Sequence, residues 1–109
     1  KELVTIVLMG YRVSRFGNYH RLFEEYTRMK PTVDRIIFIW NNVAESPPPH
    51  PPGVVLIRAK ENNMMNRYTL GDEHIRTEAV LTIDDDVLLI HGLLRCLLQT
   101  LLSHRDSIV

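Results

Sequence analysis

Leu3-Val4-Thr5-Ile6-Val7-Leu8-Met9 is apolar on both of the faces an extended chain presents, because successive side chains point to opposite sides. A β-branched run of this kind needs cover above and below, which reads as an interior strand of a parallel sheet. Parallel neighbours in turn require crossover connections packed on the sheet. The run stops at Gly10, and Tyr11 to Gly17 form a polar loop carrying Arg12 and Arg15. From Asn18, read as an N-cap, Tyr19, Leu22, Phe23, Tyr26 and Met29 recur at helical spacing until Pro31 closes the helix. Asp34 to Trp40 is a second apolar run that ends in Asn41-Asn42, residues suited to a turn. The order so far is β-α-β.

Five of the residues between Glu45 and Gly53 are prolines, which removes helix and interior strand from consideration and leaves a stiff spacer. A short third strand, Val54 to Ile57, follows, and then the polar segment Lys60 to Arg67. Gly71 to Thr77 reads as a loop with a short helical turn, and Glu78 to Ile83 as a fourth strand. Leu93, Leu94, Leu97, Leu98, Leu101 and Leu102 then mark one stripe of a helix through Ser103, expected to lie in the core. Strands alternating with helical segments predict an α/β sheet, mostly parallel and four-stranded, with flanking helices. At 109 residues and 45% hydrophobic, the chain has the material for a core. Its 13 basic and 13 acidic residues cancel, so there is no general field to recruit nucleic acid or an anionic membrane. Cys96 has no cysteine to pair with, and it reads as a small buried side chain on the leucine-rich helix.

In such sheets ligands sit beyond the carboxyl ends of the strands. A polar cluster follows each strand here: Arg12 and Arg15, Asn41 and Asn42, Asn62 to Arg67, and the triplet Asp84-Asp85-Asp86. In extended backbone Asp84 and Asp86 point the same way, about 7 Å apart, with Asp85 opposite. Clustered carboxylates at a strand end are costly unless positive charge sits among them, and a hard divalent cation answers that cost. Mg²⁺-like ions take one or two carboxylates and leave the remaining positions to water and phosphate oxygens. The four clusters together suit a nucleoside diphosphate. Asp84 or Asp86 would hold the metal, Arg67 would clamp the diphosphate, and the asparagine amides would read base or ribose edges. Neither G-x-G-x-x-G nor G-x-x-x-x-G-K-[ST] occurs, which sets dinucleotide and P-loop sites aside.

Ile37-Phe38-Ile39-Trp40-Asn41-Asn42, Asn62-Asn63-Met64-Met65-Asn66-Arg67-Tyr68, Thr77 through Asp86, and Arg105-Asp106-Ser107-Ile108-Val109 resemble, in order and spacing, the exostosin-type glycosyltransferase domain. That family includes heparan sulfate polymerases, exostosin-like transferases and plant relatives acting on sphingolipids. The resemblance implies a Rossmann-like GT-A fold and a DXD motif binding a manganese-bridged UDP-sugar, with Mn²⁺ or Mg²⁺ as cofactor and retention of anomeric configuration. By position, Asn41 or Asn42 matches the contact to uracil or ribose, and Asn62 and Arg67 match the nucleotide-contacting asparagine and arginine. Asp84 to Asp86 match the acidic motif, whose last member is the usual metal ligand. Arg12, Asn66 and Asp85 complete the expected donor site, and Asp84 and Asp86 the metal site. Where relatives place a glutamine in the first loop, this chain has Met9, and its arginine is displaced to Arg12.

The resemblance further implies that residues 1–109 are the donor-binding half of a longer enzyme. A glycan or glycolipid acceptor and the catalytic carboxylate would then belong to a second half. It also implies a Golgi or endoplasmic reticulum setting, a membrane anchor elsewhere in the full-length protein, and possible homo- or hetero-oligomers. Alternatives are a non-catalytic module supporting a partner transferase, and nucleotidyl transfer using the same metal and phosphates. His20, His50, His74, His91 and His104 lack metal-ligand spacing and read as surface or structural residues.

Overall fold

The computed structural model describes residues 3–63, 65–85, 88 and 91–103. Four strands form one sheet: β1 (Val4–Gly10), β2 (Val33–Trp40), β3 (Val54–Arg58) and β4 (Ala79–Ile83), in the order β3-β2-β1-β4. Every pairing is parallel, with Val7 beside Ile37 in one direction and Thr82 in the other. The doubly apolar runs take the two central places, and the shorter third and fourth strands take the edges. This follows from burial, since a central strand has both faces covered while an edge strand keeps part of its surface in water.

Alternation along the strands divides the core in two. Ile6, Leu8, Ile36, Phe38 and Trp40 face one side, where they meet helix α1 (Phe16–Thr27) and helix α3 (His91–Ser103). Val7, Ile37 and Ile39 face the other, packed by Met9, Val55, Ile57 and Ile75. On the larger side an aromatic cluster sets the distance between helix and sheet: the Phe23 and Tyr19 rings lie 5.0 and 5.2 Å from Phe38, and Phe16 lies 5.8 Å from Trp40. These tilted and edge-on pairings add to the area the rings bury. Trp40 is fully buried and donates its indole N–H to the Glu45 carbonyl at 2.7 Å, which pins the start of the proline-rich crossover between β2 and β3.

Three local expectations are corrected. α1 begins at Phe16, after a 3₁₀ turn over Val13–Arg15, so Asn18 lies inside the first helical turn and does not cap it. The loop is already wound before Asn18 because Arg15 N–H bonds the Arg12 carbonyl at 3.0 Å. The leucine stripe of α3 is only half core: Leu94 and Leu98 are buried, whereas Leu93, Leu97 and Leu101 are 46%, 48% and 41% exposed. α3 lies beside the edge strand β4, where the Leu94–Leu98 seam of the helix meets the sheet and the next seam is left open among the described residues. Cys96, on the same helix, is exposed rather than buried. A four-residue helix, α2 (Asn66–Thr69), rises from the Asn-rich segment, and a 3₁₀ turn spans Asp72–His74. Among the described residues, no helix is long and apolar enough to cross a membrane.

Candidate functional site

The chain runs outward from β1 to β2 to β3, then returns past β1 to place β4 on its other side. The point where the direction reverses is the gap between β1 and β4, and at their carboxyl ends the flanking loops must diverge. A crevice of about 310 Å³ opens there. Arg12, Asn41, Asn62, Arg67, Asp84 and Asp85 line it, with Tyr11 and Arg15 on the β1 side. Asn42 and Asn66 bond to its walls, while Asp86 lies outside the described residues. Leu8 sits beside Ile83, the last residue of β4, while β1 runs on beside β2 to Gly10, so the first loop leaves the sheet slightly beyond the acidic one.

Gly10 lets the first wall form. A Cβ there would stand 2.8 Å from the Phe38 ring and 3.0 Å from Tyr19, so only glycine lets β1 run this close to the aromatic cluster. The floor is an asparagine trio. Asn41 is buried, and its amide is spent within the protein: Nδ2 donates to Asn62 Oδ1 at 2.7 Å and to the Asn63 carbonyl at 3.2 Å, and Oδ1 accepts from Asn66 Nδ2. A buried amide satisfied on both ends fixes the segments it joins. Asn42 turns the other way, donating to the Tyr11 carbonyl at 2.9 Å and accepting from the Ala44 and Glu45 N–H groups.

The acidic loop is split between two partners. Asp84 receives Arg67 Nη1 at 3.1 Å, with the Asp84 side chain 63% exposed and that of Arg67 only 18%. Arg67 Nε is buried and has no hydrogen-bond partner among the described residues. A buried guanidinium donor without an acceptor is rare and calls for an explanation. Asp85 faces away from Asp84, toward α1: its Oδ1 accepts from Arg15 Nη1 and its Oδ2 from the Tyr19 hydroxyl, both at 3.2 Å. The same hydroxyl accepts the N–H groups of Tyr11 at 3.1 Å and Arg12 at 3.2 Å. Burial pushes the Tyr19 pKa above its ordinary value, and the Asp85 charge adds to the rise against the lowering effect of the two N–H donors. The phenol therefore keeps the proton it gives to Asp85.

Among the described residues no group of three His, Cys, Asp or Glu side chains could hold a metal ion. Asp84 is the more exposed of the two described carboxylates lining the crevice, and one carboxylate beside an anionic ligand is the kind of donor set that Mg²⁺-like ions accept. His91 lies 3.1 Å from the Thr32 hydroxyl, and His104 is outside the described residues. A larger groove, of about 610 Å³, runs between α1 and the proline-rich loop, bordered by His20, Phe23 and His50, away from the acidic loop. Tyr19 was legible in the sequence only as a core position. The signal that could have found its second role is the rule that a buried tyrosine hydroxyl finds a partner.

Residues 4–109 match the model of the glycosyl transferase family 64 domain. Similar curated proteins include an exostosin-like-3 homolog of Caenorhabditis elegans, 36% identical over all of this chain and 13% of the relative. Human exostosin-like 2 is 36% identical over 78% of this chain and 27% of the relative. A glucosamine inositolphosphorylceramide transferase 1 of Oryza sativa is also 36% identical, over 78% of this chain and 11% of the relative. The chain thus spans a minor part of the length of each relative. Its parallel sheet with flanking helices is a GT-A-like α/β fold.

Proposed function

This chain belongs to the exostosin-type glycosyl transferase family 64, and from that premise we propose that its crevice binds the nucleoside diphosphate of a UDP-sugar. The observation that carries the reading is Arg67. Its Nε is buried without a hydrogen-bond partner among the described residues while its Nη1 reaches Asp84, at the edge of a crevice at the switch point of the sheet. A diphosphate oxygen is the acceptor such a donor lacks, and a guanidinium fork suits it. Asp84, with Asp86 following in sequence, would hold Mn²⁺ or Mg²⁺ against the same phosphates. When bound, that ion stabilises the charge of the departing diphosphate as a Lewis acid. The asparagine trio shapes the floor beneath the nucleoside, and Arg12 and Tyr11 border its open side.

Because the relatives extend far beyond the matched length, the step assigned to these residues is donor binding. Sugar transfer to a glycan or glycolipid acceptor, with retention and in a Golgi or endoplasmic reticulum setting, is proposed for the longer protein on the family resemblance. Transfer from a UDP-sugar by the 109-residue chain alone would overturn that division.

Calorimetry with UDP tests the site. Binding is expected to strengthen with Mn²⁺, to lose that increment in Asp84→Ala and Asp86→Ala, and to fall about tenfold or more in Arg67→Ala. Both described carboxylates of the triplet already have arginine partners, which favours one second reading, a non-catalytic module supporting a partner transferase. UDP binding that is absent with and without Mn²⁺ would select it.

A further inference from the structure

We propose that Arg67 couples the two ligands of the crevice: it neutralises the acidic loop while the site is ligand-free and is drawn to the diphosphate when the donor binds, so that nucleotide and cation each bind better with the other present. This deepens the donor-site reading and rests on it. Two arginine–carboxylate pairs in the molecule make the case by contrast. Arg76 meets both oxygens of Asp34, from Nε at 2.8 Å and from Nη2 at 3.1 Å. That is the two-point pairing a planar guanidinium makes with a carboxylate that is its final partner. Arg67 meets Asp84 through Nη1 at 3.1 Å, and its Nε is buried with no hydrogen-bond partner among the described residues. A dry donor left unpaired is costly, and an acceptor arriving there recovers that cost. The guanidinium is thus held at one corner, with a donor kept for an anion other than Asp84.

The charges around the crevice point the same way. Arg12, Arg15 and Arg67 line it together with Asp84 and Asp85, and each of the two carboxylates already has an arginine within 3.2 Å. The described residues therefore offer a divalent cation no surplus negative charge, and a cation arriving alone competes with a guanidinium for Asp84. A nucleoside diphosphate reverses that balance. Its phosphate oxygens give Arg67 the acceptor its Nε lacks, and the charge of Asp84 is released toward the cation that the same phosphates attract. Linkage makes the effect reciprocal: whatever factor the nucleotide adds to the affinity for the cation, the cation adds to the affinity for the nucleotide.

The test is a pair of titrations: Mn²⁺ binding followed by electron paramagnetic resonance of the free ion, with and without UDP, and UDP binding by calorimetry, with and without Mn²⁺. In wild type, UDP is expected to strengthen Mn²⁺ binding about tenfold, and Mn²⁺ to strengthen UDP binding by the same factor. Arg67→Ala is expected to bind Mn²⁺ alone about threefold more tightly than wild type, because the competing charge is gone, and to lose most of the enhancement by UDP. Asp84→Asn changes an exposed side chain and should bind UDP alone about threefold more tightly, because Arg67 is released to the diphosphate. Combining the two changes should abolish that gain. An arginine that did no more than contact phosphate would leave the binding of Mn²⁺ alone unaltered when removed. Mn²⁺ affinity no higher in Arg67→Ala, or metal-free UDP affinity no higher in Asp84→Asn, would overturn the proposal. So would Mn²⁺ and UDP binding independently of each other in wild type. Wild-type protein that binds no UDP, with or without Mn²⁺, would instead overturn the donor-site reading.

Discussion

In β1–α1–β2, Val4 to Leu8 and Ile36 to Trp40 are all buried, whereas along β4 and α3 covered positions alternate with open ones. Apolar residues make up a similar share of the elements in both units. They differ in cover: the first has helix, neighbouring strands and the aromatic cluster around it, while the second lies at the sheet edge with Val80, Leu93, Leu97 and Leu101 exposed. Stability is thus concentrated in the first unit, and the acidic loop is carried by the second. The crevice is formed where they meet, and Arg15 and Tyr19 on one side hold Asp85 on the other.

The largest effect expected from this asymmetry is at Phe38. Its ring is fully buried and touches those of Tyr19, Phe23 and Trp40, so Phe38→Ala should cost about 3–5 kcal/mol in denaturant unfolding. Gly10→Ala comes next. Its Cβ would press on the same ring at 2.8 Å, and the shift needed to relieve the contact should cost about 1–3 kcal/mol. Because the displaced atoms include Tyr19, the Gly10 variant should also weaken UDP binding. Leu97→Ala, on the open seam of α3, should lose about 1 kcal/mol, since only part of that side chain leaves water on folding. Equal losses at Phe38 and Leu97 would erase the asymmetry.

The first unit was the more legible of the two. Uninterrupted apolar runs with β-branched residues have one economical solution, a covered parallel strand, and Leu3 to Met9 and Asp34 to Trp40 each fall within two residues of β1 and β2. Periodicity served less well on α3, because a stripe of leucines marks which face is apolar and not how much of it finds a partner. Leu97 and Leu98 are neighbours in that pattern, yet one is exposed and the other buried. The triplet was legible as a strand end. Its internal division was not, since the partners of Asp84 and Asp85 are Arg67, Arg15 and Tyr19, groups far apart in the chain that only the completed sheet brings together. Asn41 shows the same limit: its place at a strand end is visible in the sequence, but its burial depends on Asn62 and Asn66 arriving from beyond β3.

The smallest expected effect concerns a second link between the units, at the opposite end of the strands from the crevice. Arg76, just before β4, donates Nε and Nη2 to the two oxygens of Asp34 near the start of β2, at 2.8 and 3.1 Å. That hydrogen bonding holds the Asp34 carboxyl below its ordinary pKa, with the charges of Arg76, Arg35 and Lys30 adding to the fall and burial opposing it. A carboxyl with a lowered folded-state pKa stabilises the protein above its unfolded pKa, and that stability is lost as the pH falls through the folded value. Asp34→Asn should therefore lower the melting temperature by roughly two degrees at most near neutrality, where solvent and salt screen so exposed a partner. The difference from wild type should close in acid, and UDP binding should not change. A loss of UDP affinity in this variant would show instead that the far end of β4 transmits its position to the acidic loop, making the two units a single body with respect to the ligand.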